Sequence, residues 1–491
     1  MITTKPWELG RRRFIQSTAV VAGSAAFATG NLLTSLPALA QDPPTCPAPP
    51  SGGTSFVAGS DKRPITLRKS IGALSDAELS KLHDAYTSLR ALPSSDKRTW
   101  LMQADMHALF CASCTNSPTD IHGSWNFFPW HRAFLYYFER ILGSLVGDLD
   151  GFRLPYWDWE NIRTLPLPYA SPGSSSNSLW DGIRNSSLAG GGNLPATHGT
   201  TSRITTLYGL SDFATFGGDA GSAGSLESDP HGIIHTDVGQ PLPPRHDMGS
   251  LGYAARDPLF FAHHCNIDKL WSGWNDLASG GTSTDYKNPT DSGFLDTRWS
   301  FWDENQQVVS ISAADVLDHK NTLRYVYKVS LRIPRLALIL ECRLVCCRPG
   351  PDPGPFLEVS EQVREAVMRS FRQESPVVLI LHGVEVPPML SGAFDVVAVS
   401  GEQRIVVGSL GLLEHEEKAE HGKAHRTTLA LDVTKAVEGL FAKEKPATLH
   451  VFSSAYGGRE KTEPSVEGKR ALRKDAFELR AERAEIRLEK R

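Results

Sequence analysis

Asp257-Pro258-Leu259-Phe260-Phe261-Ala262-His263-His264-Cys265-Asn266-Ile267-Asp268 is the stretch on which the reading of this chain turns. Pro258 suits the first turn of a helix, where its missing N–H costs nothing. Apolar residues follow at helical spacing, so a helix is expected over Asp257 to Leu277, carrying two adjacent imidazoles. Asp268 stands four residues beyond His264 on the same helix face. From there its carboxylate is expected to accept the other ring N–H of His264 and fix the ring for a metal.

Upstream, Asp229-Pro230-His231-Gly232-Ile233-Ile234-His235 places two imidazoles at i and i+4, about one helical turn apart on one face. Earlier still, His107 lies on a helical pattern, His122 opens a turn, and His131 begins the aromatic run His131 to Arg140. Any one of these histidines alone would be read as a core or surface residue. Together His107, His122 and His131, with His231, His235 and His264, read as two three-imidazole ligand sets. Di-iron bundles need paired Glu and Glu-x-x-His ligands, which are missing at matching positions. A zinc hydrolase normally needs one three-ligand site, not two. All-imidazole shells suit copper, which also heads the divalent affinity order. Cys111, four residues after His107, is expected on the same face as that histidine.

At 491 residues the chain exceeds one ordinary core, so more than one domain is expected. Hydrophobic content of 40% and charged content of 22% are those of a soluble globular protein. A net charge of -4 supplies no basic field for nucleic acid. Residues 1–40 read as an export signal. Arg11-Arg12-Arg13-Phe14 precedes an apolar small-residue run ending in Ala38-Leu39-Ala40, a twin-arginine pattern with a peptidase-like site. A periplasmic or extracellular destination is expected, with the thylakoid lumen as alternative. No other segment reaches the ~20 apolar residues that span a bilayer, so no stable membrane insertion is expected.

Four helices are expected: Ser75 to Leu89 behind a capping box, Arg98 to Cys114, Trp130 to Val146, and Asp257 to Leu277. Ser171 to Gly224, rich in Ser, Gly, Asn and Thr, reads as long surface loop. Pro- and Gly-rich residues around 348–355 mark a linker. Beyond it, 377–381, 394–399, 427–431 and 449–452 read as strands, with a short last one over Ala484 to Leu488. The division is therefore 1–40 signal, 41–328 catalytic domain, 329–355 linker and 356–491 β-rich domain with a charged tail.

Phe127-Phe128-Pro129-Trp130-His131-Arg132 and Leu154-Pro155-Tyr156-Trp157-Asp158-Trp159 resemble the first copper signature of plant-type polyphenol oxidases, members of the tyrosinase family. Met248-Gly249 and Arg256-Asp257-Pro258 through Trp271 resemble the second. Similarity runs on through Phe301-Trp302-Asp303-Glu304-Asn305 to Tyr325-Val326-Tyr327. Ala393-Phe394-Asp395-Val396 is similar to the lysine-headed KFDV signature of the family's C-terminal domain, with Ala in place of Lys.

The resemblance implies a mainly α catalytic domain, an antiparallel four-helix bundle with long loops holding a dicopper site. A C-terminal β-rich, sandwich-like domain would shield that site until cleavage in 329–355. It implies two copper ions on the six histidines named above, with His263 the non-ligand of its pair. Cys111 would form a thioether to His122, Glu227 would hold an active-site water, and Leu251 would replace the gating Phe and widen the mouth. Gly232 occupies the place of an Asn or Asp that helps to deprotonate monophenols. That substitution favours a catechol oxidase, turning o-diphenols into o-quinones with O2, over a tyrosinase that hydroxylates monophenols. Rival classes are a haemocyanin-like oxygen carrier and a dinuclear hydrolase. Small phenols and O2 are the expected partners, and the oligomeric state is open. By the same comparison Cys46 with Cys114 is the best available disulfide pair, leaving Cys265, Cys342, Cys346 and Cys347 unassigned.

Overall fold

Ser75 opens the first long helix as its sequence demands, its hydroxyl accepting from the Glu78 N–H while the Glu78 carboxylate returns to Ser75. This helix, α1, spans Asp76–Arg90. It is followed by α2 (Trp100–Phe110), capped by Thr99, and by α3 (Phe127–Leu145), α4 (Ile233–Val238) and α5 (Leu259–Asp276). The computed structural model describes residues 45–111, 114, 116, 118, 120–170, 177–239, 247–278 and 285–329. In the C-terminal part it describes 336–345, 356–358, 360–386, 392–400, 403–412, 425–437, 447–454 and 481–489. The export-signal reading of 1–40 and the cysteines Cys346 and Cys347 lie outside the described residues. Among the described residues no helix is long and apolar enough to cross a membrane.

The helical part closes on an aromatic core in which Trp130, Trp157, Trp159, Trp271 and Trp274 are fully buried. Burial of such rings is the largest favourable contribution per residue available to a fold of this kind. A disulfide between Cys46 and Cys114, Cα atoms 5.5 Å apart, ties the N-terminal extended segment to the loop after α2.

The stretch 171–224, expected as surface loop, instead contains helices at Ser186–Ala189, Thr201–Tyr208 and Phe213–Gly217. Its Asn, Thr and Asp residues act as N-caps, Asn185, Thr200 and Asp212 each accepting a backbone N–H. Leu188, Ile204, Leu207, Tyr208 and Phe216 are buried between them.

The C-terminal part is the expected β-rich domain, its eight strands joined in one antiparallel order. Its strands are β1 (Leu336–Val345), β2 (Phe356–Glu358), β3 (Val377–Val386), β4 (Gly392–Ser400), β5 (Gln403–Leu412), β6 (His425–Asp432), β7 (Ala447–Ser454) and β8 (Arg483–Glu489). Their spatial order is β5-β4-β7-β2-β1-β8-β3-β6. The sheet curves so that Leu379, Val396, Leu410, Leu431 and Ile486 share one core, and the helix α6 (Glu361–Arg372) adds Val363 and Val367 to it. Strand β1 lies inside the segment expected as linker. Apolar Leu340, Cys342 and Leu344 alternate there with Glu341 and Arg343, the period of a strand, and β1 pairs with β8 and β2. The last strand, expected at Ala484 to Leu488, runs between β1 and β3.

Candidate metal centre

Four helical segments and one turn, the latter bearing His122 ahead of α3, deliver the histidines. His107 is on the last turn of α2, and His131 stands in the first turns of α3, its Nδ1 hydrogen-bonded to the Phe127 carbonyl at 2.7 Å. His231 precedes α4, with Nδ1 2.9 Å from the Glu227 carbonyl. His235 lies on α4, with Nδ1 2.8 Å from the Met248 carbonyl. His264 is on α5. A backbone carbonyl that takes the Nδ1 proton leaves Nε2 as the lone-pair nitrogen, which fixes both tautomer and ring direction. Two of the three acceptors sit four residues before their histidine, a helical spacing readable in the sequence but not used there.

The rings converge. His107, His122 and His131 form one group and His231, His235, His263 and His264 another, with candidate ligand atoms within 4.8 Å inside each group. The groups face each other: the rings of His131 and His264 stack at 4.2 Å, and His122 lies 6.1 Å from His231. His235 Nε2 and His264 Nε2 are 3.3 Å apart. Nε2 of His131 and of His231 are buried with no hydrogen-bond partner among the described residues. Buried nitrogens aimed at one another without partners are costly unless an ion sits between them. The donor set therefore fits two metal ions.

Electrostatics agrees with that fit. Burial, against the Phe127 hydrogen bond that opposes it, pushes the imidazole of His131 down to about 3. Burial likewise takes His235 to about 4. His231 and His264 lie well below the ordinary value, through burial and the neighbouring imidazoles. Neutral imidazole is the form that binds a metal. Phe260 packs on His264 at 4.2 Å and on His107 at 4.8 Å. Phe127 touches His131 and His231 at 4.7 and 4.6 Å, so the walls are dry.

Other expected residues fall in mixed places. Glu227 bridges the two groups: its Oε1 accepts from the N–H of Gly123, next to His122, at 2.8 Å, and its Oε2 is buried without a partner among the described residues. Burial raises its carboxyl well above the usual range. Cys111 caps α2 one turn past His107 and is buried. Leu251 is buried, in the loop after Met248. His263 joins the second group, stacked 5.4 Å from His231, so geometry alone offers four imidazoles there.

Asp268 is a correction. Its carboxylate does not reach His264, whose Nδ1 has no partner among the described residues. It accepts from Arg132 at 2.6 Å, Arg68 at 3.2 Å, Tyr325 at 2.6 Å and Tyr327 at 2.8 Å. Two buried guanidiniums and two phenols outcompete one imidazole N–H for the same oxygens.

A fold of helices bringing two groups of imidazoles face to face is that of a dinuclear type-3 copper protein. The common central domain of tyrosinase matches residues 97–202 and 186–277, and the polyphenol oxidase middle domain matches 288–338. A polyphenol oxidase of Vitis vinifera (Grenache), known from a crystal structure, is 32% identical. The match covers 59% of this chain and 93% of that one, with a TM-score of 0.52. The latent form of a chloroplastic polyphenol oxidase of Prunus armeniaca is 36% identical over 54% of this chain and 49% of its own length. The structure of a latent apple tyrosinase is alike in fold over 89% of this chain and 98% of that one, at 24% identity and a TM-score of 0.59. The chain spans about half the length of the first curated relatives it matches, 58% and 49%. It belongs to the tyrosinase and polyphenol oxidase family, whose members carry two coppers.

Proposed function

We propose that this chain is a copper phenol oxidase that turns o-diphenols into o-quinones with O2, and that it is latent while its C-terminal sheet is in place. The two facing histidine groups carry this reading. His107, His122 and His131 would hold one copper, and His231, His235 and His264 the other. His263 is left out because the family motif places the ligand at the second member of the pair. When bound, the coppers supply the electron-accepting chemistry: two catechols give up four electrons and four protons, and O2 becomes two waters.

The residues of this chain do the rest. Phe127 and Phe260 exclude water and leave an aromatic wall for a phenol ring. Glu227, whose unpartnered Oε2 faces away from Gly123, holds a water and through it takes a phenolic proton. Cys111, in a thioether, would fix the ring of His122. Catechol oxidation is favoured over monophenol hydroxylation because Gly232 has no side chain to steer a base.

We further propose an export route through the twin-arginine pattern of Arg11-Arg12-Arg13-Phe14. The chloroplastic naming of the Prunus armeniaca relative fits the thylakoid lumen alternative. Within the expected cleavage region 329–355 we favour a cut before Leu336, since β1 belongs to the sheet. A cut after Val345 would leave β1 on the catalytic side while still hydrogen-bonded into the sheet.

Metal analysis with activity assays tests the reading. Two coppers per chain, and catechol turnover that rises after limited proteolysis, are expected. Bound oxygen without turnover, even after cleavage, would instead indicate a carrier. Prompt quinone formation from tyramine alone would shift the assignment to tyrosinase.

A further inference from the structure

Gly232 and Gly411 meet main chain to main chain, where β5 crosses the segment linking His231 to His235. Gly232 has φ -60° and ψ -36°, ordinary helix that any residue adopts. Glycine there is less favourable than alanine. Gly411 lies inside β5, opposite Ala393 of β4, and is not among the positive-φ glycines. A glycine within a strand weakens it and marks a place where another backbone comes close. Neither residue needs to be glycine for its own conformation.

The contact explains both. A β-carbon on Gly232 would fall onto the Gly411 carbonyl group, 3.1 Å from its carbon and nearer still to its oxygen. One on Gly411 would fall onto the peptide joining Gly232 to Ile233. Main chain held in a helix and in a sheet cannot swing aside as a side chain can.

The rest of the seam holds this contact in register. Edge strand β6 continues onto the catalytic part: Ala223 N–H donates to Arg426 O at 2.9 Å, and Thr428 N–H to Ala223 O at 3.0 Å. Ser225 Oγ donates to Thr428 O at 3.0 Å. Arg203 reaches both Asp229 O, at 2.9 Å, and Ala430 O. Arg487 of β8 pairs with Asp212 at 2.8 Å. The segment bearing Glu227 and His231 is thus tied to β6 at one end and covered by β5 at the other. None of the six proposed ligands is more than 6% exposed.

We propose that the Gly232–Gly411 contact is the seal of the latent site, and that position 232 sets latency and substrate range together. The proposal rests on the latent copper oxidase reading above. Gly232 lacks a side chain because β5 must seat on it, and the loss of a base-steering residue follows from that docking. A side chain at either position lifts β5 and opens the uncleaved chain.

The test compares catechol oxidation by the copper-loaded full chain before and after limited proteolysis, for the wild type, Gly411→Val and Gly411→Ala, with a thermal melt of each. Cleavage is expected to raise wild-type activity by about tenfold or more, and uncleaved Gly411→Val to stand within about twofold of its cleaved form. Gly411→Ala, adding a single methyl, should fall between them and serves if the valine variant does not fold. Gly232→Asn should also lose latency and, once cleaved, oxidise tyramine faster than cleaved wild type. Folded Gly411 variants as latent as a wild type that cleavage does activate would overturn the seal and leave the latency reading standing. A wild type equally active before and after cleavage would overturn seal and latency together. A copper-loaded, cleaved wild type inert toward catechol would overturn the oxidase reading beneath both.

Discussion

Asp268 sits among Arg68, Arg132, Tyr325 and Tyr327, and these four decide what it does. Burial opposes its charge, yet Arg132 and Arg68 hold the carboxyl below its ordinary range. Replacing it by Asn leaves the buried Arg132 without a counter-charge, a loss of about 3–5 kcal/mol, while Arg68 keeps Glu139. Asp268→Asn should therefore lower the melting temperature steeply, while the copper content of the folded fraction stays at two per chain. Glu227 belongs to the opposite case. Glu227→Gln keeps an oxygen for the Gly123 N–H but not a base, so kcat should fall about 100-fold with copper content unchanged. Of these two acids, Glu227 comes from the family resemblance and its role is a proposal, while helical spacing misread Asp268. Helical i+4 geometry says that a carboxylate can reach an imidazole. It does not say which distant residues reach the carboxylate first, and Arg68 comes from 200 positions away.

Among the elements, the helices were the most legible, because caps and apolar periodicity are local. Ser75 and Glu78 announce α1, and α2 stops at Phe110 where Cys111 caps it, short of the expected Cys114. Strand β1 was hidden by its charges, and the buried helices of 171–224 by a composition that caps helices as readily as it forms loops. The orientation of the histidine rings was missed for another reason, since carbonyl acceptors belong to every residue and leave no letter in the sequence. The Cys46–Cys114 link acts at this scale too. It closes a loop of 68 residues in sequence separation and so restricts the unfolded chain by about 4 kcal/mol in the chain-entropy account. Cys46→Ser should lower the melting temperature accordingly. It should also speed copper loss to a chelator, because the freed loop runs straight into His122.

For the whole molecule, the seam between helices and sheet governs behaviour, and Glu485 gives it a pH dependence. Burial works against its charge, but the neighbouring His382 and Arg487 outweigh burial and hold it at about 2, against an ordinary 4.5. A folded value below the unfolded one means stability that is complete above about pH 4.5 and is lost as the pH falls toward 2, on the order of 2 kcal/mol. Arg487, which pairs with Glu485 at 2.7 Å and with Asp212 across the seam, carries that loss to the docking surface. Acid treatment should therefore release latent activity without proteolysis, and Glu485→Gln should flatten that pH profile. None of this was legible beforehand, because Asp212 and Arg487 are joined only by the complete fold.

The placement of β8 has a consequence for timing. Arg483–Glu489 comes last in the chain among the described strands, yet it fills the slot between β1 and β3. Until those residues have left the ribosome, β1 and β3 have no partner between them, and the sheet that carries Gly411 is unfinished. The two clustered histidine groups of the helical part all precede residue 265, so their chain is made before that strand. A nascent chain therefore passes through an interval with its metal ligands made and still uncovered. In that interval ions can enter unobstructed, and the cover arrives with the final strand.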